Sequence, residues 1–275
     1  MQRLIEAAKT QLKTNKPLPF SVYSSAKIQH LVNVPMIKPL LILVLSGSKE
    51  LGDNSEIACP SGTFIFLSNS PQITLRNVPA NEEYFAILIE FDYADFDGLA
   101  RNLARKTTKT ESYFQGQINT VLEQTLLQFI EWSAFSPRAM WPIRRQEILQ
   151  LLFHLGYEQV GAIMESPLLS HKLHGIISDH IADDLDATGL ASMMAMSEST
   201  LRRKLNAEGT SLQQIKDRAR LGYGLHLIQT TDDPIGRIAE VCGYQSQSRF
   251  TDRFKQHFGM TPSDLRKTRM LDSGE

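Results

Sequence analysis

The sequence predicts an α+β protein with two separately folded parts, an antiparallel β-barrel or sandwich followed by an all-helical lobe. Three observations support this. From about Phe20 to Phe91, apolar residues come in short or alternating runs broken by turn residues. After about Asp95 the period becomes helical. The last third of the chain holds two copies of one short pattern. At 275 residues the chain is longer than one average domain. A break is expected near Ser166-Pro167, where a helix must stop or restart, giving domains 1–165 and 166–275.

The predicted strands are Phe20–Ser25, Leu40–Leu45, Glu56–Cys59, Thr63–Leu67, Gln72–Val78 and Tyr84–Phe91, separated by turn clusters such as Pro60-Ser61-Gly62 and Asn69-Ser70-Pro71. The longest apolar run, Leu40–Leu45, is far below the roughly 18 residues needed to cross a bilayer, so it reads as a buried strand. With 42% hydrophobic and 21% charged residues, disordered and collagen-like classes drop out. The start, Met1 to Glu6, lacks the apolar core of a signal peptide, and Cys59 and Cys242 lie far apart. A cytoplasmic protein with no membrane association is expected. Both thiols should be buried and inert. Neither is flanked by the His or Arg that would activate a thiolate, which sets aside redox sensing and a methyl-acceptor role.

Two helices are predicted next. Gln117–Ser133 places Ile118, Val121, Leu122, Thr125, Leu126, Phe129 and Ile130 on one stripe. This stripe either covers the barrel's open side or pairs with its own copy in a homodimer, and both can hold together. Ile143 to Ile163 carries Ile148, Leu151, Leu152 and Leu155.

Within the second half, Met196 to Leu205 aligns with Gln245 to Phe254: Ser197 matches Ser246, Leu201 matches Phe250, and Leu205 matches Phe254. In each copy the Ser can cap a helix whose two apolar residues share one face, leaving Arg, Gln, Ser and Thr opposite. A short apolar helix precedes each copy, Leu190–Met194 and Ile235–Val241, the latter started by Asp233 as cap and Pro234 as first helical residue. Gly243 permits the tight turn. The pattern is helix-turn-helix, twice, with a helical spacer from Leu212 to about Ile228, roughly 25 Å long. Net charge is only −1, yet from Ser197 to Met270 thirteen Lys/Arg stand against eight Asp/Glu, a local surplus of five. A donor-rich helix face held on a buried seam is shaped for a major groove.

The string from Ile235 to Phe250, followed by Phe254-Lys255, Phe258-Gly259 and Thr261 to Arg266, closely resembles the AraC/XylS family of bacterial transcription regulators. With Leu201-Arg202-Arg203 and Gly209-Thr210-Ser211, the resemblance covers about a third of the chain. It implies a non-enzymatic, sequence-specific regulator of transcription that binds double-stranded DNA, more often an activator, acting through RNA polymerase. It implies base-reading at Ser199, Arg202 and Arg203 in the first unit and at Gln247, Ser248, Arg249 and Asp252 in the second. Where the family often has a basic residue this chain has Asp252, which accepts from a cytosine amino group or, the favoured role, steadies Arg249 one turn earlier. Lys204, Arg253 and Lys255 flank the seam and read as phosphate contacts.

The strand-rich half, taken with that partner, resembles the cupin-like regulatory domain found there in many such regulators, controlled by a small molecule or a protein partner. Lys38, Arg76 and Tyr84 would either meet an anionic effector in the barrel mouth or stand as exposed strand residues. Catalytic cupins hold a metal with clustered His and Glu. Here His30 is the one histidine before His154, so neither metal nor cofactor is expected. The alternatives are a regulator governed by a protein partner alone and, further off, a metal-dependent cupin enzyme with a DNA-binding tail.

Overall fold

The computed structural model describes residues 1–269 apart from 15, 37, 69–72, 82, 98, 100–112, 165–167, 182 and 184. The expected turn at Asn69-Ser70-Pro71 and the break at Ser166-Pro167 therefore lie outside the described residues. The chain divides into two compact units. The first comprises Met1–Leu31, Met36–Glu165 and Thr268–Glu275, and the second Val32–Pro35 and Ser166–Lys267.

The first unit opens with helix α1 (Gln2–Leu12), which the sequence reading did not identify. Among the described residues nine strands follow: β1 (Ser21–Ser25), β2 (Gln29–Val34), β3 (Leu40–Ser46), β4 (Ser48–Leu51), β5 (Ile57–Pro60), β6 (Thr63–Leu67), β7 (Ile73–Val78), β8 (Tyr84–Glu90) and β9 (Tyr113–Gln117). They form two sheets and do not close into a single barrel: β1-β8-β3-β6-β9 and β2-β7-β4-β5. β8 pairs antiparallel with β1 and β3, β6 with β3 and β9, and β4 with β5 and β7. Strands β2, β4 and β9 were not predicted. Each carries a polar residue at a position that, by alternation, should be apolar.

Alternation along β3 assigns its residues to two different cores. Leu41, Leu43 and Leu45 join Phe64, Phe66, Phe85 and Ile87 in a cluster with Leu4, Ile5 and Ala8 of α1. Helices α2 (Thr120–Trp132) and α3 (Trp141–His154) complete that cluster with Leu122, Leu126, Phe129, Ile148 and Leu152. Asn119 caps α2 by accepting from the Leu122 amide at 2.9 Å. The predicted stripe is thus largely buried against the larger sheet, but Val121 is 56% exposed and Ile118 precedes the helix. α3 ends at His154, well before the expected Ile163, and a separate 3-10 turn covers Glu158–Met164. β9 approaches that turn through Gly116, where a Cβ would sit 2.1 Å from the Tyr157 hydroxyl.

The other face of the larger sheet, with Leu40, Ile42, Ile65 and Tyr84, is also buried. It meets the smaller sheet, as the contacts Lys49 to Tyr84 and Cys59 to Gln115 record.

Apart from the end of β2, the elements described in the second unit are helices: α4 (Leu169–Asp179), α5 (Ala187–Met193), α6 (Glu198–Ala207), α7 (Leu212–Thr230), α8 (Ile235–Val241), α9 (Gln247–Phe258) and α10 (Pro262–Thr268, whose last residue clusters with the first unit). Among the described residues no helix is long and apolar enough to cross a membrane.

Candidate nucleic-acid interface

Two helix pairs, α5 with α6 and α8 with α9, repeat one construction. Each second helix is capped by the serine that the alignment picked out. Ser197 Oγ accepts from the Thr200 amide and Ser246 Oγ from the Arg249 amide, both at 3.3 Å. Each connecting turn holds one residue in the left-handed region, Ala195 (φ 51°) in the first and Gly243 (φ 76°) in the second. Pro234 occupies the cap position of α8, so that helix begins at Ile235, one residue later than expected.

The predicted seams are buried. In the first pair Leu201 and Leu205 pack with Leu190, Ala191, Leu173, Ile177, Ile215 and Ala219. In the second, Phe250, Phe254 and Phe258 are fully buried and form a ladder with centroids 5.6 and 4.6 Å apart, extended by Tyr244 at 5.2 Å from Phe250. Gly224 of α7 makes this possible, because a Cβ there would lie 2.8 Å from the Phe250 ring. Burial raises the Cys242 thiol to about 12, partly offset by Arg220, and the Cys59 thiol to about 11, partly offset by Lys49. Both are therefore protonated at neutral pH.

Between the pairs runs α7, 19 residues long, started by a reciprocal cap in which Ser211 accepts from the Gln214 amide and Gln214 accepts from the Ser211 amide at 3.0 Å. Glu208 holds the front of α4, accepting from the amides of Leu169 (2.8 Å) and Ser170 (2.9 Å). Burial alone would raise its carboxyl pKa, but these bonds and His171 hold it below the ordinary value.

All ten predicted DNA-facing side chains are exposed: Ser199, Arg202, Arg203 and Lys204 on α6, and Gln247, Ser248, Arg249, Asp252, Arg253 and Lys255 on α9. They differ in their partners. Arg202 is paired with Glu198 one turn earlier, and Arg253 reaches Asp217 of α7 at 3.5 Å. No ion pair joins Asp252 to Arg249 among the described residues, so the favoured steadying role is absent: three residues apart on an exposed face, both side chains extend into solvent. Arg203, Lys204, Arg249 and Lys255 likewise have no acidic partner among the described residues.

Sequence reasoning missed Glu198, Asp217 and Gly236. The first two were counted only as charges. Gly236 underlies Gln247, whose Oε1 lies 3.0 Å from where a glycine-replacing Cβ would sit.

In the first unit, the three residues offered for an effector separate. Lys38 pairs with Asp92 (2.9 Å), Arg76 pairs with Glu50 (3.4 Å), and Tyr84 is fully buried. His30 stands on the outward face of the smaller sheet, beside an open groove of about 610 Å³ that Ile28, Glu50, Asp53 and Arg76 also line. Among the described residues no group of three or more His, Cys, Asp or Glu is arranged to hold a metal.

Paired capped helices on buried seams define a helix-turn-helix DNA-binding unit. A family model described as a helix-turn-helix domain matches residues 190–268. The transcriptional regulator GadX of Escherichia coli O6:H1 is 35% identical over 101 residues, 37% of each chain. The regulator AdiY of Escherichia coli K12 is 34% identical over 94 residues, 34% of this chain and 37% of that one. The chain thus matches little more than a third of the length of these relatives. Through its C-terminal unit it is similar to these helix-turn-helix transcriptional regulators. Over nearly the whole chain the fold is similar to that of ToxT from Vibrio cholerae. The unsaturated-fatty-acid-bound crystal structure has a TM-score of 0.62 at 15% identity, covering 95% of this chain and 99% of that one. A second ToxT crystal form gives 0.64 at 16% identity over 93% and 100%.

Proposed function

We propose that the protein is a sequence-specific DNA-binding regulator of transcription, acting in the cytoplasm and catalysing no reaction. The observation that carries this is the repeated construction of α5–α6 and α8–α9, each presenting an exposed Arg-bearing polar face from a buried apolar seam. A core alone has no need of Arg202-Arg203 and Gln247-Ser248-Arg249 on the exposed faces of the two second helices. Residues 166–275 form the DNA-binding domain in this reading. Ser199, Arg202, Arg203, Gln247, Ser248, Arg249 and Asp252 face base edges, and Lys204, Arg253 and Lys255 contact phosphates. The spacer α7, about 28 Å long at 1.5 Å per residue, suits two helices entering successive major grooves roughly one duplex turn apart.

Residues 1–165 form a cupin-like regulatory and dimerising domain, and activation through RNA polymerase is the mode of action. A small molecule controls it, a reading supported by the likeness in fold to a protein crystallised with a fatty acid bound. Homodimerisation through α2 uses the edge that leaves Val121 exposed.

Selection of bound sites from random duplexes, with and without cell extract, tests the reading. It should enrich a motif with two recognised blocks about 10 bp apart, and the absence of any enriched motif would overturn it. Arg203→Ala should weaken binding to the selected site by about 1–3 kcal/mol. An equal loss on random DNA would mean that Arg203 touches phosphate instead.

A further inference from the structure

Where α2 gives way to α3, the first unit exposes side chains that its own core does not use. Phe135 in the connecting turn is 76% exposed, Ile143 54% and Met140 43%. Single exposed apolar residues are ordinary on a protein surface, but three between 135 and 143 form a patch. The chain's two tryptophans, Trp132 and Trp141, both stand beside it, half-buried. Arg144 of α3 lies 5.4 Å from the Trp132 ring centroid and Arg138 5.7 Å from that of Trp141, whose Nε1 donates to Ser136 Oγ at 3.2 Å. These contacts join the end of α2, the turn and the start of α3 into one surface. Helix α1 brings cations to the same end. It runs alongside α2, since the Met1 amine meets Glu123 at 2.8 Å while Lys16, beyond the end of α1, donates to the Ala134 carbonyl at 3.4 Å. Lys13 and the exposed Leu12 therefore also fall near Trp132. Among the described residues Lys13, Lys16 and Arg138 form no ion pair, and of the two nearby carboxylates, Glu131 and Glu147, the second is taken by Arg144 at 2.7 Å. The surface is apolar at its centre and positive at its margin.

Aromatic, methionine and arginine side chains distinguish protein contacts from ordinary surface. We propose that this end of the first unit docks a short acidic segment of a partner protein. An apolar side chain of the segment rests against Phe135, Met140 and Ile143, and its carboxylates face Lys13, Lys16 and Arg138. Stacking on Trp141 holds the Arg138 guanidinium in one plane, so a carboxylate meets a pre-formed fork and little side-chain freedom is lost on binding. The same cations tell against a second copy of the chain, because a two-fold contact brings identical patches together and sets like charges face to face. They also suit anionic lipid, but a membrane surface is met by the long apolar face of an amphipathic helix, and here the apolar residues sit on a turn and the first residues of α3. Val121, the residue of the proposed dimer contact, lies at the other end of α2, about 16 Å away along the helix axis. No residue assigned to DNA belongs to this surface, so the DNA reading and this one stand or fall separately.

The test presents a library of random short peptides to the full chain, then titrates a synthetic copy of an enriched peptide with tryptophan emission as the readout, since both tryptophans belong to the surface. Enriched peptides should carry a surplus of Asp and Glu around an aromatic or aliphatic residue and shift the emission saturably. Raising the salt from about 0.05 M to about 0.5 M should weaken binding severalfold. Phe135→Ala should bind at least about tenfold more weakly. Arg138→Glu should lose the acidic peptide and prefer its counterpart with lysines for the acids. Both variants should melt like wild type, because the altered side chains are exposed, and Val121→Ala should bind as wild type does. No enriched peptide, enrichment without an acidic surplus, or binding undiminished in Phe135→Ala and Arg138→Glu overturns the proposal. So does an equal emission shift with phosphatidylglycerol vesicles, which gives the surface to lipid, or self-association abolished by Phe135→Ala, which gives it to a second copy.

Discussion

The two helix pairs reach the same geometry by different means. The first closes on aliphatic side chains, Leu190, Leu201 and Leu205, and bends its turn through Ala195. The second closes on three phenylalanines in tilted and edge-on contact and turns at Gly243. Their arginines differ as well: Arg202 is held within its own helix by Glu198, whereas Arg253 is held across to α7 by Asp217. A large rigid aromatic leaves no slack for its neighbours, while an alanine in the left-handed region stores strain at the backbone. The second pair should therefore be intolerant in its core, and the first improvable at its turn.

Truncation in the seam should separate the pairs most. Phe254→Ala should destabilise by about 3–5 kcal/mol and open the α8–α9 amides to hydrogen exchange while α5–α6 stay protected; Leu205→Ala should do the reverse at about 2–5 kcal/mol. An unchanged melting profile for Phe254→Ala would remove it from the seam. Glycine substitutions should come next, with opposite signs. Gly224→Ala forces a methyl to within 2.8 Å of the Phe250 ring, and overpacking of that kind costs about 1–3 kcal/mol. Gly175→Ala in α4 meets nothing within 4 Å and should stabilise by about 0.5–1 kcal/mol through helix propensity. Equal signs in chemical denaturation would show that the close approach at Gly224 yields without strain.

What the letters made legible follows from this contrast. The serine caps, both seams and Gly243 were readable because each satisfies a local rule: a cap needs an oxygen, a seam needs spacing of four, a sharp turn needs freedom at φ. The polar faces were readable as exposed for the same reason. Strands β2 and β4 were missed because Gln29 and Lys49 break the alternation that marks a half-buried strand. They point inward for reasons that only partners distant in sequence supply, namely Asn77 on the neighbouring β7 and Tyr84 on the facing sheet. Helix α1 carries a helical apolar pattern in Leu4, Ile5 and Ala8, but it is a single short stretch with no cap side chain to mark its start. Gly224 and Gly236 carry no local signal, since their role is room for a ring or a side chain distant in sequence. The pairing of Asp252 with Arg249 was expected from helix spacing alone, and exposed rotamers do not obey spacing.

The turn offers a smaller effect. Ala195 sits at φ 51°, a region that costs an alanine roughly 1–2 kcal/mol and a glycine little. Because glycine also loses more freedom on folding, Ala195→Gly should stabilise the first pair by only about 0.5–1 kcal/mol. A loss of stability in urea would mean that the methyl packs usefully.

The smallest effect bears on reading itself. Glu198 stands in the first turn of α6, at the positive end of the helix, and engages Arg202, which is 69% exposed. Exposed pairs at this spacing are worth about 0.3–0.5 kcal/mol, so Glu198→Gln should release Arg202 at little cost to the fold. Releasing it also removes a negative charge beside the phosphates. If the arginine reads a base edge, the variant should bind the selected site about twofold more tightly, a change of the same size as the lost pair, with a smaller gain on random DNA. If both DNAs gain equally, Arg202 is a phosphate contact and the first helix reads through Arg203 and Ser199. Weaker binding to the selected site would give Glu198 the opposite role: it would hold the guanidinium in the rotamer that meets the base, and the first pair would then depend on an intrahelical brace that the second replaces with the reach from Arg253 to α7.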